Sequence, residues 1–255
     1  MNKEIKVNID NVFKIIESDV NENITKLTIT DNIFETEDFS LADIFFNFVG
    51  EVLHPNLKEL RIEAHTMGYE FLDSIEVYNK LEKLSINTSN IYWNDKKKYN
   101  ETKSITIDIK EKMKSLKEIN FNFDHIPWKL ILSQHEDFPN IEKLTFSDIE
   151  DETINSWDLL KFPKLKCILL DQNTEFTEED SSDLHDPMYM DDLCQLDYLE
   201  EISTLVLNDL NSLKKFKKLK KIGNLIVPYS SDEPEYIEAT KHLVIENNPF
   251  ESEIK

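Results

Sequence analysis

The sequence predicts an α/β protein built as a solenoid, with a curved parallel sheet on its concave face and helical or irregular segments on its convex face. Three observations predict it: the pattern apolar-x-x-apolar-x-apolar recurs along the chain, several copies begin at closely similar intervals, and proline precedes several of them at the same distance. Because such a unit buries its apolar side only against its neighbours, we expect the strands to stack in chain order.

The repeated unit contains an alternation of apolar and polar residues that predicts a half-buried strand. The interval from Leu57 to Leu81 is 24 residues, and that from Leu116 to Ile141 is 25. Eight clear copies begin at Ile24, Leu57, Leu81, Leu116, Ile141, Leu165, Ile202 and Ile222, and two weaker copies begin at Thr102 and Thr240. The alternative is an ordinary α/β sheet whose strands happen to be similar.

The segments between the strands are expected to be helical or irregular returns. Pro55, Pro139 and Pro163 each stand two residues before a copy, where the fixed φ and missing N–H favour a turn into a strand. The clearest return is 40–53, whose apolar residues form one helical stripe after Ser40 as N-cap.

We predict one solenoid domain over residues 1–255. Residues 1–23 form an N-terminal cap that contributes a covering strand, residues 24–248 hold the repeats, and residues 249–255 form a C-terminal tail. The interval of 14 residues from Ile105 to Ile119 is short for a full unit and indicates a minimal return. The 37 residues from Ile168 to Leu205 are long and indicate an insertion near 174–200.

These copies resemble the leucine-rich repeat superfamily, whose motif is L-x-x-L-x-L-x-x-N, over roughly residues 24–248. The agreement is strong in the first six positions. In the ninth position Asn32, Asn173 and Asn248 fit, whereas His65, Ser89, Asp124 and Ile149 do not. The resemblance is therefore to a divergent, irregular subtype, and it implies that the concave face binds another protein.

The composition excludes several classes of function. With 29 basic and 51 acidic residues, the net charge of −22 disfavours binding to nucleic acid or to an anionic membrane. It favours a basic partner, or serves solubility alone. No apolar stretch predicts a membrane span or a targeting segment. Two cysteines, Cys167 and Cys194, make no disulfide framework, so we expect a cytoplasmic protein.

The outward column at the fifth position of the copies changes character along the chain. It is polar in the first six copies and apolar in the last four, which predicts an exposed apolar stripe that contacts a protein partner. The stripe consists of Leu169, Val206, Ile226 and Val244, flanked by Asp171 and Asn208. The alternatives are a simple strand preference for branched side chains and a stripe covered by the chain itself.

The insertion is acidic. From Cys167 to Leu213 the chain has thirteen acidic residues and no Lys or Arg, so a long loop there suits recognition of a basic protein surface. The residues predicted to contact the partner are Glu178, Glu179, Asp180, Tyr189, Asp191 and Asp192. The alternative is a solvated loop without a partner. A lysine run over 214–221 follows, and we expect it to pair with the insertion rather than to bind nucleic acid.

No catalytic or metal centre can be assembled from the sequence. The six histidines include no i, i+4 pair, and a calcium-like start at Asp171 lacks the glycine and glutamate that such a loop needs. Cys167 and His242 are expected about 14 Å apart, three strand spacings. We therefore predict a noncatalytic protein-binding module without cofactor or metal, of the inhibitor or immunity type for a basic toxin or nuclease. The alternative is an adaptor or scaffold subunit.

Overall fold

The computed structural model describes residues 3–7, 24–31, 56–68, 79–92, 105–109, 114–123, 128–132, 140–147, 159–171, 190–226 and 233–247. Contacts divide the chain into two compact units, Met1–Glu136 and Asp137–Lys255. In each unit parallel strands form an open sheet with few helices among the described residues. This confirms the predicted solenoid-like α/β architecture at that level. The single domain over 1–255 stays a prediction.

The first unit contains seven described strands. They are β1 (Lys3–Val7), β2 (Ile24–Asp31), β3 (Glu59–Gly68), β4 (Lys83–Tyr92), β5 (Ile105–Ile109), β6 (Glu118–Phe123) and β7 (Trp128–Leu132). The main sheet has the order β1-β2-β3-β4-β6, and β5 pairs with β7 in a separate two-stranded sheet. The pairing of β1 with β2 is parallel, so the predicted N-terminal covering strand is present.

The position of β5 corrects one expectation. The weak copy starting at Thr102 was expected to lie between its neighbours as a rung of the main sheet. Instead β4 pairs directly with β6, with Leu84 opposite Ile119, and Ile105 in β5 lies opposite Trp128. The physical reason is the short interval from β5 to β6, because adjacent parallel strands need a crossover of a dozen or more residues.

The second unit contains five described strands in the order β8-β9-β10-β11-β12. They are β8 (Lys143–Ser147), β9 (Cys167–Asp171), β10 (Glu201–Val206), β11 (Lys221–Ile226) and β12 (Val244–Asn247). Two 3-10 helices, Asp191–Gln195 and Leu210–Lys215, and helix α1 (Glu233–Thr240) lie in the returns. All pairings between these strands are parallel.

The return before β11 shows why its sequence forms a 3-10 helix. Leu210, Leu213, Phe216 and Leu219 come every third residue and are all buried, which matches the three residues per turn of that helix. The N–H of Phe216 donates to the carbonyl of Leu213 at 3.2 Å. The intervening lysines are therefore exposed.

The core of each unit is built from the repeated apolar positions. In one copy Leu57, Leu60 and Ile62 are at most 1% exposed, whereas Arg61 between them is exposed. The same alternation holds in β8, where Leu144 and Phe146 are fully buried on either side of half-buried Thr145. The predicted half-buried strands are thus confirmed, with one face in the core and the other outward.

Charged side chains alternate in sign from strand to strand at the strand starts. We call these sets the charge rows. One row contains residues just before the strands, such as Lys58, Glu82 and Lys117. The other contains residues that lie opposite one another on neighbouring strands: Lys26, Glu59, Lys83 and Glu118 in the first unit, and Glu201 and Lys221 in the second. The Lys–Glu contacts of 2.7–3.1 Å within these rows are Lys26–Glu59, Lys58–Glu82, Lys117–Glu82, Lys83–Glu118, Lys166–Glu142, Lys220–Glu200 and Lys221–Glu201. Since neighbouring strands are about 4.8 Å apart, opposite charges at one position meet directly and favour this register.

Glu82 is shared by two lysines, and we expect Glu82→Gln to lower the free energy of unfolding by about 1 kcal/mol at neutral pH. Hydrogen bonds from Lys117 and Lys58 lower the pKa of Glu82 from 4.5 to about 2. A carboxylate with a lowered folded-state pKa stabilises fully above its unfolded pKa and loses that stabilisation as the pH falls through the folded value. Urea unfolding of both proteins at several pH values should show a constant difference above about pH 4.5, which shrinks as the pH falls from there towards about 2. A difference that is independent of pH would contradict this.

Candidate partner-binding surface

The strand register breaks up the predicted apolar stripe. Val206 lies opposite Ile226. Strand β10 pairs with β9 so that Ile202 lies opposite Ile168. Val206 comes four residues after Ile202, whereas Leu169 comes only one residue after Ile168, so Val206 and Leu169 are not at the same level. Val244 lies opposite Lys221, five residues before Ile226. The four residues therefore do not form one row, and the prediction of a continuous stripe was wrong.

The physical cause is the three-residue apolar period before β10 and β11. Leu199, Ile202 and Leu205 follow one another at intervals of three and are all buried. Two phases therefore place buried apolar residues at both the first and the fourth positions of the repeat. Backbone pairing selects the phase in which Leu199 and Ile202 take the first and fourth positions, three residues earlier than expected.

Burial separates the members of the predicted stripe further. Val206 is 5% exposed and belongs to the core, Leu169 and Ile226 are half-buried, and Val244 is 63% exposed. Only Val244, on β12, is thus a strongly exposed apolar residue of this set. Asp171 is the last residue of β9 and lies opposite Ser147.

The end of the acidic insertion is an ordered return that packs on the second unit. Met190 is fully buried, and its N–H donates to the carbonyl of Val206 at 2.8 Å. The carboxylate of Asp191 accepts a hydrogen bond from the N–H of Asn208 at 2.8 Å, and half-buried Asp192 follows in the same 3-10 helix. The structure therefore brings Asp191, Val206 and Asn208 together. Glu178, Glu179, Asp180 and Tyr189 lie outside the described residues.

The lysine run pairs with the end of the acidic insertion, as predicted. Lys217 contacts the carboxylate of Asp197, and Lys220 Nζ lies 2.7 Å from Glu200 Oε2. Lys218 Nζ stands 4.1 Å from the centre of the Tyr198 ring, a cation–π contact. Hydrogen bonding to Lys217 and Lys220 lowers the pKa of both carboxyl groups. These lysines therefore join neighbouring repeats.

Cys167 lies on β9 beside a carboxylate. Its Sγ is 3.7 Å from Glu201 Oε2. Burial, followed by the negative charge of Glu201, raises the pKa of the thiol above its ordinary value. The thiol is therefore protonated at neutral pH, unlike an activated nucleophile. Strands β10 and β11 lie between β9 and β12. Because β12 begins at Val244, two residues after His242, Cys167 and His242 are separated by three strand steps, as expected.

The outward face of the first unit is polar. Arg61, Ser85 and Asn120 lie opposite one another on β3, β4 and β6, and Asn120 Nδ2 donates to Ser85 Oγ at 3.2 Å. Arg61 also contacts the carboxylate of Glu63 on its own strand. Arg61, Ser85 and Asn120 of the predicted fifth column thus form a real row of the sheet.

Two further observations concern the described part of the chain. No group of three or more histidine, cysteine or acidic side chains is arranged to hold a metal ion there. No helix within that part is long and apolar enough to cross a membrane. Comparisons of the chain with protein-family models and with curated proteins both found no match.

Proposed function

We propose that this chain is a noncatalytic protein-binding module, divergent from the leucine-rich repeat superfamily, that recognises a basic protein. The concrete form is an inhibitor or immunity-type protein that covers a basic toxin or nuclease. The single observation that carries the proposal is the imbalance between the paired lysines and the total acidic charge. The described lysines are largely engaged in contacts between repeats, although the chain carries a net charge of −22.

The charge rows make this argument quantitative. Even if each of the 29 basic residues neutralised one of the 51 acidic residues, 22 acidic residues would remain outside such pairs. The insertion contributes an acidic stretch, 175–192, without any Lys or Arg. A surface with this excess attracts a basic partner and accelerates its association at low salt.

The test is a salt titration of binding to purified basic nuclease toxins, each in a catalytically inactive form. We expect the double variant Glu178→Gln with Glu179→Gln to raise the Kd about tenfold, because two charges facing a basic surface are removed. The affinity of the unchanged protein should fall as ionic strength rises. Isothermal titration calorimetry at several salt concentrations measures both effects.

The matched control removes two charges from the outward face of the first unit, as Glu4→Gln with Glu63→Gln. Equal weakening by both double variants would show that net charge, rather than the insertion, attracts the partner. Binding that is independent of both salt and the insertion charges would contradict the proposal.

The second candidate is an adaptor or scaffold subunit of a larger assembly. It is favoured by the polar face around Arg61, Ser85 and Asn120, which presents hydrogen-bonding groups beside charge-balanced rows. A partner held there binds with little dependence on salt. Substituting Asn120 by Asp would then weaken binding, whereas the insertion variant would not.

A further inference from the structure

The first strand of one unit and the last strand of the other have matching edges. Among the described strands, β1 pairs only with β2, and β12 pairs only with β11. The far edge of such a strand presents N–H and C=O groups that a further strand can pair. Val244, Glu246 and Asn247 of β12 are exposed, as are Glu4 and Lys6 of β1. We propose that the chain associates head to tail with a second copy, β12 of one molecule pairing in parallel with β1 of the next.

The register of the two sheets decides which residues would meet. In β1, Glu4 lies opposite Lys26, one residue before buried Leu27. In β12, Val244 lies opposite Lys221, one residue before buried Ile222. Glu4 and Val244 thus occupy equivalent positions.

Two residues further along, Lys6 of one copy faces Glu246 of the other. The intervening position brings Ile5 and Ile245 into one row. Opposite charges therefore meet in the single register that continues both sheets.

The chain already contains the arrangement that this contact would create. Glu82 accepts Lys58 at 2.8 Å from one neighbouring strand and Lys117 at 2.7 Å from the other. Glu246 Oε1 lies 2.9 Å from Lys221 Nζ, which is its contact on the inner side. Lys6 of a second copy would supply an outer contact, so Glu246 would also be shared by two lysines, although Lys221 reaches it from a position level with Val244, two residues earlier.

The contact is small, because β1 has five residues and β12 four. It falls below the size of about 1,000 Å² that a stable complex needs, so the association is weak. The net charge of −22 also repels two copies at low salt. Because the contact joins different surfaces of the two copies, it extends into chains of molecules rather than closing as a symmetric dimer.

The experiment measures molecular mass by sedimentation equilibrium over the micromolar to millimolar range, at an ionic strength of about 0.15 M, where long-range repulsion is screened. The wild-type protein should grow beyond the monomer as its concentration rises. Lys6→Glu and Glu246→Lys, each alone, place like charges opposite each other and should raise the Kd of self-association at least about tenfold. Unfolding midpoints establish that each variant is folded.

Mixing the two variants separates this contact from other causes. In an alternating chain of Lys6→Glu and Glu246→Lys molecules, every junction again has opposite charges, so the equimolar mixture should recover association. Lys80→Glu changes the net charge as Lys6→Glu does, and Lys80 lies outside β1 and β12, so this control should associate like the wild type. A monomeric wild type at the highest concentration, or a mixture no better than its components, would overturn the proposal.

Discussion

Phe146→Ala should lower the free energy of unfolding by about 3–5 kcal/mol, the largest loss that we expect from a single substitution. Phe146 lies in the core row of β8, is fully buried and stands opposite Leu170 of β9. Removing its ring discards the apolar area that it buries and leaves a cavity that the neighbouring strands can close only partly. Chemical denaturation followed by circular dichroism measures the loss.

Thr145→Ala is the matched control because it changes the adjacent residue on the opposite face of the same strand. Thr145 is half-buried, and we expect its replacement to cost less than about 1 kcal/mol. Similar losses for the two variants would mean that the alternation of core and outward faces in β8 is wrong, and with it the row of buried residues across this unit.

Gly223→Ala should lower the free energy of unfolding by about 1–3 kcal/mol, as overpacking of a buried site does. Gly223 is buried in β11, and a methyl group at this position would lie 2.4 Å from the carbonyl oxygen of Ser203 on β10. Because that oxygen belongs to the backbone, the two strands must move apart to accept the side chain. Thermal and urea unfolding of the variant measure the effect.

A second variant shows whether the backbone is the cause. Ser203→Gly removes the neighbouring side chain but keeps its carbonyl, so the double variant should remain as destabilised as the sum of the two single variants. Recovery of stability in the double variant would instead place the conflict with the side chain of Ser203. Such a result would contradict the close approach of the two strands.

The sequence correctly predicted what depends on local pattern. The alternation around Leu60 and Leu144 predicted half-buried strands, and the repeat predicted parallel pairing between neighbours. The charge rows also have a signal in the sequence, because Lys58, Glu82 and Lys117 alternate in charge from copy to copy. Each of these signals arises from residues that alternate at a short, regular spacing.

The candidate surface was less predictable. The charge pattern correctly predicted that the lysine run pairs with the end of the acidic insertion. The predicted stripe through Leu169, Val206, Ile226 and Val244 was wrong, because these residues do not lie in one row. A one-position error in a strand turns every side chain to the other face, and a three-residue error moves a side chain along the strand as well. The surface therefore depended on a register that the apolar pattern alone left undecided.

The amino-acid sequence by itself determined the parallel repeats, the buried positions and the acidic surplus, because spacing and composition act locally. Only the tertiary structure decided that β5 leaves the main sheet, that Ile202 lies beside Ile168 and that Asp191 bonds to Asn208. These outcomes depend on hydrogen bonds between segments distant in the chain, which compete for the same strand edge. The outcome depends on the pairing energy of whole strands, which cannot be derived from any short stretch of sequence.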